Sequence, residues 1–570
     1  MSINPSLDRF QAQAIWEISA ERTRIMRVCG CVCLLVGLLL LTVVCRADGV
    51  IDVGSRKQLF IDQKFIESSE GIRLTVNPPH QTREKLITAD QPWEQDAHLG
   101  SYSTVVQEPG GKPRIRVWYQ VSAGASVAGK NPPFLGVAYA ESDDGLKFRK
   151  PVLRLVERNG SRENNLVLPT DPDRVMVGGG TVWRDDNPSC PLQARYKSWS
   201  KYYPRKGSGL KGEHGLWTSP DGLHWTLNEK PVTGLRAADT QPSWFWDPRV
   251  KRYAGYTREW VRSGAGIGAR MVGYVESDDM LAWDSATMAL ELDERDRVAA
   301  PFPRIDLGGV QSRGDKVARF PDATVKAGTV GDDPVLAPTT PLDFYGPGVF
   351  PYEGVYIALV PVFYHWRGAS PQSIPDTTEL QLAVSRDGRH FIRPGMRRPY
   401  LSPGHDGSWD SRWIYPVLRP VRQGDELWIY YFGTNQAHNS QLDPQAKKHE
   451  TAISRAVLRL DGFLSADADY EGGTFLTPPI RFAGAQLELN LDAGAGGSAK
   501  VELLEESGKP IPGFSFHDGD ELTGNAVRKT VKWSGNSDLK KLAGRPVRMR
   551  FRMRSAKLYA FQFREDGVRP

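Results

Sequence analysis

One short pattern, Ser-x-Asp-Gly-x-x-aromatic, recurs along the chain and constrains the fold more than any other feature. Its four copies span residues 142–148, 219–225, 277–283 and 385–391, with Met280 in place of the glycine in the third. Asp accepts hydrogen bonds from turn amides and Gly adopts positive φ, so the pattern is typical of a β-hairpin turn. We therefore interpret these aspartates as turn residues and not as catalytic groups.

Each copy follows an apolar strand, and a further strand with an aromatic centre lies before that one. Five strands of this aromatic kind occur, at residues 116–119, 195–199, 252–256, 355–359 and 426–431. Repeated units of four strands are the signature of a β-propeller. We predict an all-β fold with a five-bladed β-propeller over residues 48–460 and insertions near residues 290–340.

The pattern changes from about Asp461 onwards. Apolar and polar residues alternate at 486–490, 499–504, 547–552 and 558–563. Alternation with a period of two is typical of antiparallel strands with one buried and one solvated face. We predict a small C-terminal β-sandwich over residues 461–570 that folds against the propeller.

The N-terminal segment has the features of an export signal. Arg27 precedes an apolar run at 28–44, and Ala47 supplies a small residue for cleavage. We predict that residues 1–47 are an N-terminal extension and signal peptide of a secreted or periplasmic protein, although a retained membrane anchor is the alternative. Four of the five cysteines lie in this segment, so Cys190 alone remains, which excludes a disulfide within the mature chain.

The charge of the chain excludes some partners. The net charge is +6 over 570 residues, with basic and acidic residues interleaved. A nucleic-acid-binding protein carries a concentrated basic patch, and no such patch stands out. We expect no nucleic-acid partner, no membrane association of the mature form, and a monomer.

Several motifs resemble those of a known group of proteins. Residues 59–62 (Leu-Phe-Ile-Asp), 92–94 (Pro-Trp-Glu) and 459–463, together with the four turn motifs, resemble secreted bacterial proteins of the arabinanase, levansucrase and invertase superfamily. Glycoside hydrolase families 43 and 32 are its best-known members. The resemblance implies a five-bladed propeller, a C-terminal sandwich as in family 32, and hydrolysis of glycosidic bonds in a polysaccharide or oligosaccharide by carboxylates in the central channel.

The chain departs from the known enzymes of that superfamily. It lacks their Arg-Asp-Pro and Glu-Cys-Pro motifs, which leaves the catalytic residues to be argued by position. Because a fold does not determine an activity, a non-catalytic carbohydrate-binding propeller is the alternative hypothesis. A sialidase-like site would need three arginines and a nucleophilic tyrosine, which the pattern alone does not assemble.

Carboxylates near the start of the inner strands are the candidate catalytic groups, because in a propeller those strands converge on one mouth of the channel. We predict Asp96, Asp239, Asp343 and Glu379 as catalytic residues; Asp410 satisfies the same rule. Glycoside cleavage needs one carboxylic acid and one carboxylate. The resemblance implies Asp96 as base or nucleophile. Asp239 is the expected orienting acid, and Asp343 and Glu379 are alternative proton donors.

Four further residues are predicted to bind substrate: Arg258, Trp244, Tyr345 and His438. An arginine at the end of a strand can pair with a carboxylate, and aromatic rings match the apolar face of a sugar, although core packing is the alternative for each ring. The histidines lack the spacing of metal ligands, so we predict no catalytic metal and no cofactor. A structural Ca²⁺ ion in the channel stays open as an alternative.

Overall fold

The computed structural model describes residues 49–123, 134–170, 174–204, 213–235, 240–262, 268–293, 295–296, 342–364, 377–438 and 442–565, with four short strand pieces between 311 and 335. The predicted signal peptide, residues 1–47, lies outside the described residues, as does Asp239. In the part that the structure describes, the elements are strands, four short 3₁₀ helices and a helical turn at residues 295–296. The all-β prediction is therefore confirmed. No helix of the described residues is long and apolar enough to cross a membrane.

The strands are β1 Ile51–Gly54, β2 Gln58–Leu59, β3 Ser68–Glu70, β4 Ile72–Val76, β5 His80–Gln81, β6 Ala97–Gln107, β7 Ile115–Ala123, β8 Phe134–Ser142, β9 Leu166–Leu168, β10 Arg174–Arg184, β11 Tyr196–Pro204, β12 Glu213–Ser219, β13 Thr226–Leu227, β14 Ser243–Asp247, β15 Arg252–Arg262, β16 Gly268–Ser277, β17 Thr287–Leu290, β18 Gln311–Ser312, β19 Asp315–Lys316, β20 Gly328–Val330, β21 Asp333–Val335, β22 Leu342–Phe344, β23 Gly348–Tyr352, β24 Val355–Tyr364, β25 Thr377–Ser385, β26 Trp413–Pro416, β27 Val421–Gln423, β28 Glu426–Thr434, β29 Thr451–Arg459, β30 Leu464–Ala468, β31 Gly473–Leu476, β32 Ile480–Phe482, β33 Gln486–Asp492, β34 Ser498–Glu505, β35 Asn525–Thr530, β36 Val547–Arg554 and β37 Ala556–Arg564. The 3₁₀ helices are Gln63–Phe65, Pro92–Glu94, Leu192–Ala194 and Lys540–Leu542.

The first three units of the repeat are four-stranded antiparallel sheets in chain order, β6–β9, β10–β13 and β14–β17. Their middle strands are buried on both faces, as in β7, where Val117, Trp118 and Tyr119 are all 0% exposed. A strand buried on both faces loses the alternation of apolar and polar residues, because neighbouring sheets cover each side. The aromatic strands of the sequence are these middle strands.

The fourth unit, β22–β25, and the fifth unit, β26–β29, share one extended sheet. A single parallel pair, Thr378 with Trp413, joins them. The fifth unit is completed from the far end of the chain, because β5 pairs with β29 through Gln81 and Ala456. A strand from before the first unit therefore covers the outer edge of the last.

The leading strands of these units are held to one another by side-chain hydrogen bonds. These are Gln241 Nε2 to the Ser103 carbonyl at 2.8 Å, Ser243 Oγ to the Pro347 carbonyl at 2.6 Å, Tyr415 Oη to the Gly346 carbonyl at 2.7 Å, and the Val182 amide to Thr104 Oγ1 at 3.2 Å. The Leu418 amide also donates to the Ser103 carbonyl at 3.1 Å. The leading segments of the five units are therefore in contact with one another.

The recurring turn motif forms the same hydrogen bonds in each copy. In the second copy the Gly222 amide donates to Ser219 Oγ at 2.8 Å, and the amides of Leu223 and His224 donate to Asp221 Oδ1, each at 2.9 Å. Gly222 has φ +76°. The aspartates therefore stabilise turns, as the sequence predicted. Met280 takes φ +68° at the equivalent position.

We expect Gly222→Ala to destabilise the protein more than Gly160→Ala. Both glycines have φ +76°, but a Cβ at Gly222 would lie 2.6 Å from Trp118 Cζ2, whereas a Cβ at Gly160 meets nothing within 4 Å. Positive φ alone costs about 1–2 kcal/mol, and overpacking adds about 1–3 kcal/mol. Urea unfolding of the two variants measures the difference. Equal losses of stability in the two variants would show that the Trp118 ring moves aside without a cost in free energy.

Two further six-stranded sheets contain the strands after β29. They share one hydrophobic cluster, in which the rings of Phe482 and Phe563, one from each sheet, stack with centroids 3.8 Å apart. The first four strands of the chain also belong here: β1 pairs with β32, β2 with β37, β3 with β31 and β4 with β30. Residues 51–76 therefore lie with the C-terminal strands, which differs from the predicted boundary at residue 48.

The repeat units and the C-terminal sheets meet at a buried carboxylate. Asp461 is 1% exposed and has φ +63°. Its side chain accepts hydrogen bonds from Lys57 Nζ at 3.1 Å, Tyr352 Oη at 2.7 Å and Asn490 Nδ2 at 3.0 Å. Lys57 precedes β2, Tyr352 ends β23 and Asn490 lies on β33, so one side chain connects three parts of the fold.

Candidate functional site

Asp343 is a carboxylate enclosed by the protein beside a guanidinium group. It lies in β22, is 0% exposed, and its Oδ2 is 3.5 Å from Arg270 Nη1. Arg270 lies near the start of β16, in the neighbouring unit. Removing a carboxylate from water costs several kcal/mol, which the opposite charge offsets only in part. Burying this ion pair therefore costs free energy that apolar side chains of similar size would not cost.

Tyr345 lies two residues after Asp343 and contacts two guanidinium groups. The Cζ atoms of Arg258 and Arg270 are 5.2 and 5.1 Å from its ring centroid. Its hydroxyl is 2.9 Å from His438 Nε2, and which group donates depends on the imidazole tautomer. The cation–π contacts and this hydrogen bond fix the orientation of the phenol.

Phe363, Trp413 and His438 form a wall beside Tyr345. The ring centroids of Phe363 and Trp413 are 5.0 Å apart, and that of His438 is 5.3 Å from each. Trp413 is 4% exposed, and its Nε1 has no hydrogen-bond partner among the residues that the structure describes. Buried indole N–H groups normally have an acceptor. We call Asp343, Tyr345, Arg258, Arg270, Phe363, Trp413 and His438 the Asp343 cluster.

A pair of imidazoles lies where the first and fifth units adjoin. The rings of His98, on β6, and His449 have centroids 4.4 Å apart, and His449 Nε2 is 3.1 Å from Thr434 Oγ1. Burial, with a smaller contribution from His98, lowers the pKa of His449 to about 4. Burial also lowers the pKa of His98. Both rings are therefore neutral at pH 7.

Glu379 does not share a face with Asp343. Asp343 pairs with Phe363 and Phe363 with Thr378, whereas Glu379 pairs with Val362, one residue away. Because paired residues project to one face and the next residues to the other, Glu379 points away from Asp343. The two alternative proton donors of the sequence analysis are thus separated by the sheet.

Glu379 belongs instead to a polar network between the third and fourth units. Its Oε1 accepts hydrogen bonds from Tyr364 Oη at 3.0 Å and Gln381 Nε2 at 2.8 Å. Gln381 in turn accepts from Arg393, which is paired with buried Asp296. Burial raises the pKa of Glu379, although the two hydrogen bonds oppose this effect.

We expect Glu379→Gln to be more stable than the wild type at neutral pH. Burial raises the pKa of Glu379 in the folded protein above its unfolded value. The contribution of Glu379 to stability is therefore fully present below the unfolded pKa. It is lost as the pH rises through the folded pKa, because the buried carboxyl group then ionises. The amide oxygen still accepts both hydrogen bonds, without the charge. Melting temperatures should differ near pH 7 and converge near pH 4. Glu163→Gln, at an exposed pair with Arg154, is the control and should give no gain at pH 7. A loss of stability in Glu379→Gln at pH 7 would contradict the expectation.

The other predicted residues lie in different surroundings. The Asp96 side chain is 59% exposed and accepts a hydrogen bond from Arg158 Nη2 at 2.5 Å, which lowers its pKa. Trp244 is 4% exposed and packs against Trp283, with ring centroids 4.3 Å apart, in the hydrophobic cluster between the second and third units. Asp410 is 0% exposed and paired with Arg83. Asp239 lies outside the described residues, so its place is untested.

The structure thus brings together Asp343, Arg258, Tyr345 and His438 from the predicted set. Sequence reasoning missed Arg270, Phe363 and Trp413. In the structure Trp260 on β15 pairs with Arg270 on β16, which puts Arg270 on the same face as Arg258, and this register is not readable from the sequence. No signal in the sequence marked Phe363 or Trp413 either. No group of three or more His, Cys, Asp or Glu residues in the described ranges is placed to hold a metal ion.

Comparison with known proteins finds one partial sequence match and several similar solved structures. No family model matches the chain. Among curated proteins, the A type blood N-acetyl-alpha-D-galactosamine deacetylase of Flavonifractor plautii is 27% identical over 150 residues, which is 24% of this chain and 19% of that protein. The chain therefore matches about a fifth of the length of that relative.

Several solved structures are similar over much of the chain. A crystal structure of an N-acetylgalactosamine deacetylase from F. plautii, in complex with blood group B trisaccharide, is 17% identical and covers 68% of this chain and 96% of its own, with a TM-score of 0.39. A GH32 beta-fructofuranosidase from Bombyx mori is 10% identical, and the match covers 82% of this chain and 94% of that protein, with a TM-score of 0.35. A glycoside hydrolase family 43 arabinoxylan arabinofuranohydrolase from Bacillus subtilis is 13% identical, and the match covers 85% of this chain and 99% of that protein, with a TM-score of 0.31. At these scores the likenesses carry no argument about the site.

Proposed function

We propose that the five units form a five-bladed β-propeller and that the two six-stranded sheets form a β-sandwich packed against it. The contacts among the leading strands support a closed ring, as does β5, which covers the outer edge of the fifth unit. The sandwich would include residues 51–76 as well as the strands after Asp461. The chain would be exported through residues 1–47, and N-terminal sequencing of secreted protein should find a start near Asp48.

We infer further that the protein hydrolyses glycosidic bonds in a polysaccharide or oligosaccharide at the Asp343 cluster. The observation that carries this proposal is the burial of Asp343 beside Arg270 among aromatic side chains. Buried charges that the core does not require are concentrated at functional sites. A carboxylate there can stabilise the positive charge that develops on a sugar ring during cleavage.

The other members of the cluster have roles consistent with a sugar substrate. Arg258 and Arg270 hold Tyr345 in place, and the Tyr345–His438 pair can exchange a hydrogen bond with a hydroxyl group. The Trp413 Nε1 group can donate to a substrate oxygen. We propose Asp239 as the second carboxyl group, since in the sequence it lies two residues before Gln241, whose side chain donates to the Ser103 carbonyl of the first unit.

A screen of the exported protein against neutral and anionic plant and algal polysaccharides tests the proposal. Release of new reducing ends from one of them is the expected result. The spectrum of linkages in the products then identifies the substrate. A protein that is folded and releases no reducing ends from any member of the panel would contradict hydrolysis.

A carbohydrate-binding propeller without activity is the second candidate function. It is favoured by the presence of only one carboxylate, Asp343, in the cluster as far as the described residues show. Affinity electrophoresis in gels that contain each polysaccharide distinguishes the two functions. Retardation without release of reducing ends supports binding alone.

A further inference from the structure

The outer face of the sheet that contains β36 carries a row of arginines far from the Asp343 cluster in sequence. Along β36, Val547, Met549, Phe551 and Met553 point into the core and are at most 1% exposed. Arg548, Arg550, Arg552 and Arg554 alternate with them on the other face. Alternate residues of a strand are about 7 Å apart, so the four guanidinium groups follow one line.

Two of these arginines have carboxylate partners and two do not. Arg550 is 2.8 Å from Glu502, and Arg548 is paired with Glu67. No carboxylate of the described residues lies within ion-pair distance of Arg552 or Arg554. Arg554 Nη2 donates instead to the Gly496 carbonyl at 3.5 Å. The positive charge is therefore concentrated at the C-terminal half of β36.

A lysine on the adjacent strand adds to this charge. Lys500 on β34 is the direct cross-strand partner of Arg552, and its Nζ donates only to the Phe516 carbonyl, at 3.4 Å, among the described residues. Like charges opposite one another destabilise a sheet. Residues 461–565 contain 15 Lys and Arg and 14 Asp and Glu, so the concentration is local. A local arrangement that folding disfavours points to binding.

Aromatic rings flank both unpaired arginines. The Arg552 Cζ lies 4.4 Å from the ring centroid of Phe516, and the Arg554 Cζ lies 5.6 Å from that of Tyr470. Tyr470 is 73% exposed. A guanidinium that rests on a ring keeps its N–H donors in the plane available for carboxylate or sulfate oxygens. The rings themselves match the apolar face of a sugar.

We propose that Lys500, Arg552, Arg554, Phe516 and Tyr470, here named the anion-binding face, bind a linear anionic polysaccharide that carries carboxylate or sulfate groups. Charge complementarity and the paired ring–guanidinium groups favour this ligand. A nucleic acid is disfavoured because the surrounding sandwich is almost neutral in charge. The face is independent of the Asp343 cluster, and its ligand need not be the substrate.

Binding of the full chain to polygalacturonate, dextran sulfate, neutral dextran, single-stranded DNA and phosphatidylserine vesicles tests the proposal. We expect binding to one or both anionic polysaccharides, weakened by salt, and none to dextran. The double variant Arg552→Gln/Arg554→Gln should bind at least about ten-fold more weakly, because two charge-assisted contacts are lost. Preference for polygalacturonate or dextran sulfate identifies the anionic group.

The matched control is Lys541→Gln/Arg545→Gln, which removes two exposed charges from the segment just before β36, outside this face. It should bind like the wild type. Equal weakening in both double variants would show a general charge effect and overturn the proposal. Absence of binding to either anionic polysaccharide, or tighter binding to DNA or vesicles, would also overturn it. Reducing-end release by Arg552→Gln/Arg554→Gln from a short neutral substrate reports separately on the Asp343 cluster.

Discussion

Asp343→Asn is expected to abolish most hydrolytic activity while the protein remains folded. Asn has the shape of Asp, so the contacts with the aromatic wall persist, but the charge beside Arg270 is lost. A carboxylate that stabilises developing positive charge contributes on the order of 10²-fold or more in rate. Initial rates of reducing-end release, normalised to the folded fraction measured by circular dichroism, give the size of the effect.

Asp185→Asn is the matched control for that experiment. Asp185 is 7% exposed, is paired with Lys197, and accepts a hydrogen bond from Tyr253 at 2.8 Å between the second and third units. Its loss removes a buried ion pair of similar kind away from the cluster, so stability should fall and the rate per folded molecule should not. A fully active Asp343→Asn enzyme would reduce Asp343 to a structural role.

The largest loss of stability is expected for Asp461→Ala. The substitution leaves Lys57, Tyr352 and Asn490 without their shared acceptor at the junction of the two parts of the molecule. Each buried donor left without an acceptor costs about 1–3 kcal/mol, while Lys57 keeps Glu353 as a second partner at 3.3 Å. The positive φ of Asp461 adds strain, because alanine tolerates it less well than aspartate. Urea unfolding followed by tryptophan fluorescence measures the loss.

Asp425→Ala provides the comparison at a surface pair. Asp425 is 2.8 Å from Arg528, and their side chains are 54% and 35% exposed. An exposed pair contributes about 0–1 kcal/mol. Similar losses in the two variants would mean that water replaces the Asp461 hydrogen bonds at little cost.

Much of the repeat region was predictable because its signals are local. The turn motif depends on hydrogen bonds between residues two or three apart, such as Asp221 with Leu223 and His224, and these need no tertiary context. The alternation in β36 likewise predicted one buried face. Strand type and hairpin position therefore followed from the residues alone.

The sequence does not predict the features that depend on pairing between residues far apart in the chain. Residues 51–76 carry no signal that assigns them to strands some 400 positions later. A shift of one residue in register decides which face a side chain takes, and this separates Glu379 from Asp343. Asp96 likewise accepts a hydrogen bond from Arg158, 62 positions later, a proximity that no sequence pattern shows.

The pairing of β5 with β29 has a consequence for biosynthesis. Thr82, next to β5, bonds to Arg455, 373 positions later in the chain. At about 5–20 residues per second, a ribosome makes the second partner tens of seconds after the first. Until then β5 and the segments before it, from Ile51 onwards, have no partner strands with which to pair. Chaperone protection of these unpaired strands during translation should therefore increase the yield of folded protein.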